Sequence, residues 1–109
     1  MKETPIACRM DALTTEERAR RAELFTRLSA AVNQIQELPN GFSLTVSPVP
    51  NIWMIAAEFI TLESRCCPFL SFSLEVEAED GPMSMRITGR PGVKEFLATE
   101  LHFEKKPRA

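Results

Sequence analysis

The sequence predicts an α+β domain, a two-layer sandwich with an antiparallel sheet of about four strands, in the order helix, hairpin, helix, hairpin, helix. Three observations predict it. Apolar residues recur at three- and four-residue steps in three segments, the period of a helix with one buried stripe. Between those segments lie pairs of short alternating runs, the period of a strand with one buried face. Each pair is joined by a compact turn, Pro39-Asn40-Gly41 or Asp80-Gly81-Pro82, and short connections favour antiparallel neighbours.

The first helix starts at Thr14-Thr15-Glu16-Glu17, where Thr14 can cap the backbone while Glu17, three residues on, reaches back as in a capping box. Leu24, Leu28, Val32 and Ile35, with Phe25 and Ala31, form its buried stripe, and Arg18, Arg20, Arg21, Glu23 and Arg27 read as a solvated face. Around Asn33 the period changes, and 35–38 and 42–46 are expected as strands. Ser47-Pro48-Val49-Pro50 ends the second of them, because proline cannot donate to a ladder.

A second helix from about Asn51 carries Ile52, Ile55, Ala56, Phe59, Ile60 and Leu62 over a wide apolar surface, and Pro68 stops it. Trp53 and Phe59 read as core or interface residues. Leu70, Phe72, Leu74, Val76 and Ala78 then alternate with Ser71, Ser73, Glu75, Glu77 and Glu79, so the expected strand has one buried and one solvated, acidic face. Met83, Met85 and Ile87 give the return strand a matching face and place Arg86 where it can meet an acidic neighbour across the ladder. After Gly89-Arg90-Pro91-Gly92, read as a strand-to-helix turn rather than an anion cradle, a last helix runs over 93–103. Residues 1–12 read as an N-terminal arm, 13–104 as a single domain and 105–109 as a solvated tail.

Composition excludes several classes. The 109 residues are 44% hydrophobic and 26% charged, as in a folded globular chain. Thirteen Lys and Arg against fifteen Asp and Glu leave a net charge of -2, which argues against nucleic acid as a partner. The longest apolar run, 52–62, is interrupted by Glu58 and falls short of the ~20 residues that cross a bilayer. No apolar signal core precedes Arg9, so a cytoplasmic location is expected, where cysteines stay as thiols. Three cysteines are an odd number and cannot form a closed set of disulfides.

Reactive residue types cluster only at Glu63-Ser64-Arg65-Cys66-Cys67-Pro68. On a regular helix the side chains of Cys66 and Cys67 would diverge by about 100°. The residue before a proline is pushed out of the α region, however, so unwinding at Cys67 would let both sulfurs converge. Glu63 lies three and four residues earlier on the same side. Cys8 and His102 are the remaining soft or imidazole donors, with His102 read as a surface residue. Zinc normally takes four ligands, its usual signal being cysteines two to four residues apart, whereas thiophilic metals and metalloids accept fewer, all-sulfur donors. A site of Cys8, Cys66 and Cys67, with Glu63 as a further metal ligand, is therefore the leading candidate if the arm folds back. A redox or nucleophilic role is disfavoured, because the helix C-terminus and Glu63 both raise a thiol above its ordinary pKa of about 8.5, with only Arg65 opposing them.

The run from Phe59 through Glu63, Cys66-Cys67-Pro68-Phe69-Leu70 and Phe72, with Ile6-Ala7-Cys8 upstream and Gly89…Gly92-Val93-Lys94-Glu95-Phe96-Leu97 downstream, resembles a family of small uncharacterised bacterial proteins. The resemblance covers most of the chain and implies that Cys8 belongs with the Cys66-Cys67 pair. It implies no activity. Where that family carries an acidic residue after the upstream cysteine, this chain has Arg9. Three readings follow: a binding module for a soft metal or metalloid, a non-catalytic and self-associating domain whose cysteines fill its core, and a thiol redox enzyme.

Overall fold

A computed structural model describes residues 5–100. It is an α+β fold with three helices and one four-stranded antiparallel sheet. A single 3-10 turn at Met10–Ala12 leads into α1 (Thr15–Ala31), followed by β1 (Val32–Leu38), β2 (Gly41–Val46), α2 (Ile52–Cys66), β3 (Ser71–Val76), β4 (Met83–Thr88) and α3 (Val93–Glu100). Strand order is β1-β2-β4-β3, so the second strands of the two hairpins pair at the centre of the sheet.

α1 starts at the expected capping box: the Glu17 backbone N–H donates to Thr14 Oγ1 at 3.1 Å, and the Thr14 N–H donates to Glu17 Oε1 at 2.9 Å. Its end differs from expectation. Ala31 is the last helical residue, and Val32 and Ile35 belong to β1, where Ile35 stands opposite Leu44. A spacing of three and four residues placed both on the helical stripe, but the chain turns extended at Val32 (φ -71°, ψ 120°) without any loop.

The core forms between the helical stripes and one face of the two central strands. Phe42, Leu44 and Val46 stand opposite Ile87, Met85 and Met83, and all six are buried. Gly41 is required at the head of β2, since a Cβ there would lie 2.0 Å from the Ile87 carbonyl oxygen and force the central strands apart. α2 contributes Ile52, Ile55, Ala56, Phe59, Leu62, Glu63 and Cys66, a stripe along its whole length. It packs on α1, with the Phe25 and Phe59 ring centroids 5.9 Å apart.

The apolar face expected of β3 is only partly buried: Leu74 and Val76 remain 38% and 43% exposed. β3 is an edge strand, paired with β4 alone, and lies at the margin of the core. Arg86 faces Ser43 and Ser73 directly across the ladder rather than an acidic residue. Phe59 is in the core, whereas Trp53 on the same helix is 53% exposed. α3 is described to Glu100; the rest of the expected helix, including His102, and the tail at 105–109 lie outside the described residues. No helix among the described residues is long and apolar enough to cross a membrane.

Candidate functional site

Helix α2 ends where the sequence places its stop. Cys66 is its last helical residue, and Cys67, before Pro68, takes φ -129° and ψ 69° while its N–H still donates to the Glu63 carbonyl at 2.7 Å. This half-turn out of the helix brings the neighbouring sulfurs to 3.7 Å instead of letting them diverge. Both cysteines are fully buried.

The N-terminal arm folds back onto this helix end. The Arg9 N–H donates to the Cys66 carbonyl at 2.6 Å, Arg65 Nη2 donates to the Ala12 carbonyl at 3.0 Å, and Leu13 is buried. These contacts bring Cys8 to a Cα–Cα distance of 4.9 Å from Cys67, and the two are disulfide-bonded. The expectation of three thiols is thereby corrected: an odd cysteine count forbids complete pairing but not one bridge, and Cys66 is the remaining thiol. The three sulfurs lie within 4.8 Å of one another, a group able to hold a metal ion.

Beside them is a buried ion pair. Glu63 is 1% exposed, and Arg21 grips its carboxylate in a two-pronged contact, Nε to Oε1 at 2.6 Å and Nη2 to Oε2 at 2.9 Å. The Cys66 thiol donates to the same Oε1 at 3.3 Å. The solvated face expected for α1 is therefore incomplete at Arg21, whose side chain is 16% exposed. The missed signal was present, since Arg21 sits three and four residues before Leu24 and Phe25, on the buried stripe. A charge at such a position calls for a buried partner. Arg65, expected to act on the thiols, instead bonds Glu17 at 2.6 Å.

Electrostatics follow from this placement. Burial, then the adjacent Glu63 carboxylate and its hydrogen bond, push the Cys66 thiol from 9.0 up to about 11, against the opposing pull of Arg21. Burial works to depress the Arg21 guanidinium, but its bonds to Glu63 outweigh that and leave it raised. In the oxidised chain Cys66 is the sole thiol, so a titration of ultraviolet thiolate absorbance should show one step near pH 11. The sign for stability is fixed by the same shift. The folded chain holds this proton longer than the unfolded chain, so the group's contribution is complete below pH 9.0 and is lost as pH rises towards about 11. A step near pH 9.0 would mean that the thiol is neither buried nor beside Glu63.

A cavity of about 240 Å³ opens beside the cluster, lined by Cys8, Met10, Arg21, Phe25, Glu63, Phe96 and Glu100. Cys8 is partly exposed, so the cavity meets the cluster at Cys8, on the arm side, with Cys66 and Cys67 buried behind it. The residues expected at the site, Cys8, Cys66, Cys67 and Glu63, come together; His102, expected at the surface, lies outside the described residues. No protein-family model, curated protein or solved structure matches the chain.

Proposed function

We propose that this domain binds a soft, thiophilic metal or metalloid through Cys8, Cys66 and Cys67 when the Cys8–Cys67 bridge is reduced. The observation that carries this reading is the convergence of three sulfurs from two distant segments within 4.8 Å. Donors each about 2.3 Å from one central atom lie roughly 3.5–4 Å apart, so reduction and a small separation of Cys8 from Cys67 produce the required spacing. The likeness to small bacterial proteins joins the same Cys8 to the later cysteine pair, and that adds to the reading. In the same reading the helices form one layer of a two-layer sandwich over the buried faces of β2 and β4, and the protein works in the cytoplasm, where reduced thiols persist. Glu63 contributes to the site through its contact with Cys66.

A second reading, thiol–disulfide chemistry, is favoured by one observation: Cys66 Sγ lies 3.7 Å from Cys67 Sγ of the bridge. Attack there would form a Cys66–Cys67 bond, break the Cys8–Cys67 bond and release the Cys8 thiolate. The raised pKa of Cys66 makes it a slow nucleophile at neutral pH.

The binding reading is tested by reducing the full chain anaerobically, removing the reductant and titrating separately with Cd2+, Cu+ and arsenite. At least one probe should bind one to one and mask all three thiols against a thiol reagent. Cys8→Ser should weaken that binding at least ~tenfold, a change of 1.4 kcal/mol or more. Three freely titrating thiols with no probe bound would leave the cysteines as core residues only.

A further inference from the structure

We propose that the preferred ligand of the Cys8, Cys66 and Cys67 cluster is a trivalent metalloid hydroxide, of which arsenite is the simplest probe, held as a neutral three-sulfur complex. This inference rests on the binding role proposed above and names its ligand class. Three features of the site support it.

The first is donor number. The described metal-capable group is three sulfurs, and the nearest further donor, Glu63, has both carboxylate oxygens occupied by Arg21. Among the described residues a tetrahedral divalent ion lacks its usual fourth protein ligand there. A trivalent metalloid is complete with three sulfurs, because its lone pair fills the remaining direction.

The second is charge. Among the described residues the cavity beside Cys8 is lined by one cation, Arg21, and two carboxylates, Glu63 and Glu100. Arg21 is already matched by Glu63. Three thiolates around a divalent ion carry one net negative charge, and two of the sulfurs belong to fully buried residues with no uncommitted cation among the described residues that line the cavity. An uncompensated charge in such surroundings is strongly disfavoured. A trivalent centre with three thiolates is neutral and avoids that penalty.

The third is the path of the protons. The bridge must first accept two electrons and two protons from a small or protein dithiol, which becomes a disulfide as Cys8 and Cys67 become thiols. Three S–H groups then condense with a metalloid trihydroxide. Three metalloid–oxygen and three S–H bonds break, three metalloid–sulfur bonds form, and three waters leave. No atom changes oxidation state in that second step. The protons thus leave with the three hydroxides as water, and Glu63 Oε1, which accepts the Cys66 S–H hydrogen bond at 3.3 Å, orients that thiol beside its two neighbours. A divalent cation offers no hydroxide to carry the protons away, so its binding must release them to solvent.

The stoichiometric difference provides the test. Reduced full-length protein, free of reductant, is titrated with arsenite and with Cd2+ in weakly buffered solution while binding and proton release are followed together. Arsenite should bind one to one with no net proton release and at least ~tenfold more tightly than Cd2+. Glu63→Gln leaves Arg21 unmatched and should shift the preference towards Cd2+ by ~tenfold or more. Glu100→Gln, at the cavity rim, keeps the buried pair intact and should shift it in the same direction by a smaller factor. Tighter binding of Cd2+ by the wild-type protein would overturn the metalloid assignment while leaving thiolate binding intact. Binding of neither probe would overturn the metalloid assignment, and would overturn the binding role as well where Cu+ also fails to bind. A preference unmoved in Glu100→Gln and in folded Glu63→Gln, checked by circular dichroism, would remove charge as its cause and overturn the proposal.

Discussion

Arg21→Met is expected to destabilise the oxidised protein by about 3–5 kcal/mol, the cost typical of breaking a buried ion pair from one side. Glu63 is 1% exposed, and its side chain is held by Arg21 Nε and Nη2 and by the Cys66 thiol. Removing the guanidinium takes away both charged donors and leaves a buried carboxylate with a weak S–H partner. Methionine retains much of the arginine stem's packing, so the loss measures the charge more than the volume. It also removes the guanidinium stacked 5.8 Å from the Phe59 ring centroid. The double variant Arg21→Met, Glu63→Met should recover most of the loss, because replacing both ions with apolar groups is often neutral. Glu58→Gln is the contrasting control: its pairing with Arg20 is solvent-exposed and should contribute little. Urea unfolding with the bridge intact would measure all three. An Arg21→Met loss no larger than that of Glu58→Gln would show that the pair is not buried in solution.

The ion pair also marks where sequence reading reaches its limit. Features set by neighbouring residues were legible: the Thr14–Glu17 box, the end of α2 ahead of Pro68 and the turn at Pro39-Asn40 each depend on contacts within a few residues. Ambiguity arose where one pattern fits two periods. Val32 and Ile35 continue the stripe of α1 at three- and four-residue steps, yet Ile35 is the inward residue of β1, and local spacing does not choose between them. The alternation in β3 was correct as a strand signal, but burial of Leu74 and Val76 depends on the strand's place in the sheet. Contacts across the chain were least legible of all. Arg21 and Glu63 are 42 residues apart, and nothing near either one names the other. The site residues were found because thiols are few and chemically distinct; their bridge was not, because it depends on how the arm returns to the end of α2.

Reduction of the Cys8–Cys67 bridge is expected to lower stability by roughly 4 kcal/mol, from the chain entropy that its loop withholds from the unfolded state. The two cysteines are 59 residues apart, so the bridge constrains more than half of the 109-residue chain. In the native state the arm has other attachments, notably the Arg9–Cys66 backbone bond, buried Leu13 and the Arg18 bond to the Met10 carbonyl at 3.1 Å. Reduction should therefore leave the fold intact while moving the urea midpoint down, with a steeper slope because the unlinked denatured chain exposes more surface. If the reduced protein then takes up a three-sulfur ligand, that ligand closes the same loop as the bridge did. Binding to the folded state alone would restore about 2.7 kcal/mol when the free ligand is at a hundred times its dissociation constant. The oxidised, reduced and reduced-plus-arsenite proteins should consequently rank first, last and intermediate in urea resistance, with Cys8→Ser close to the reduced wild type and unresponsive to reductant. A midpoint unchanged on verified reduction would contradict the bridge as a stabilising link. Equal stabilisation of wild type and Cys8→Ser by arsenite would show that Cys8 does not join the site.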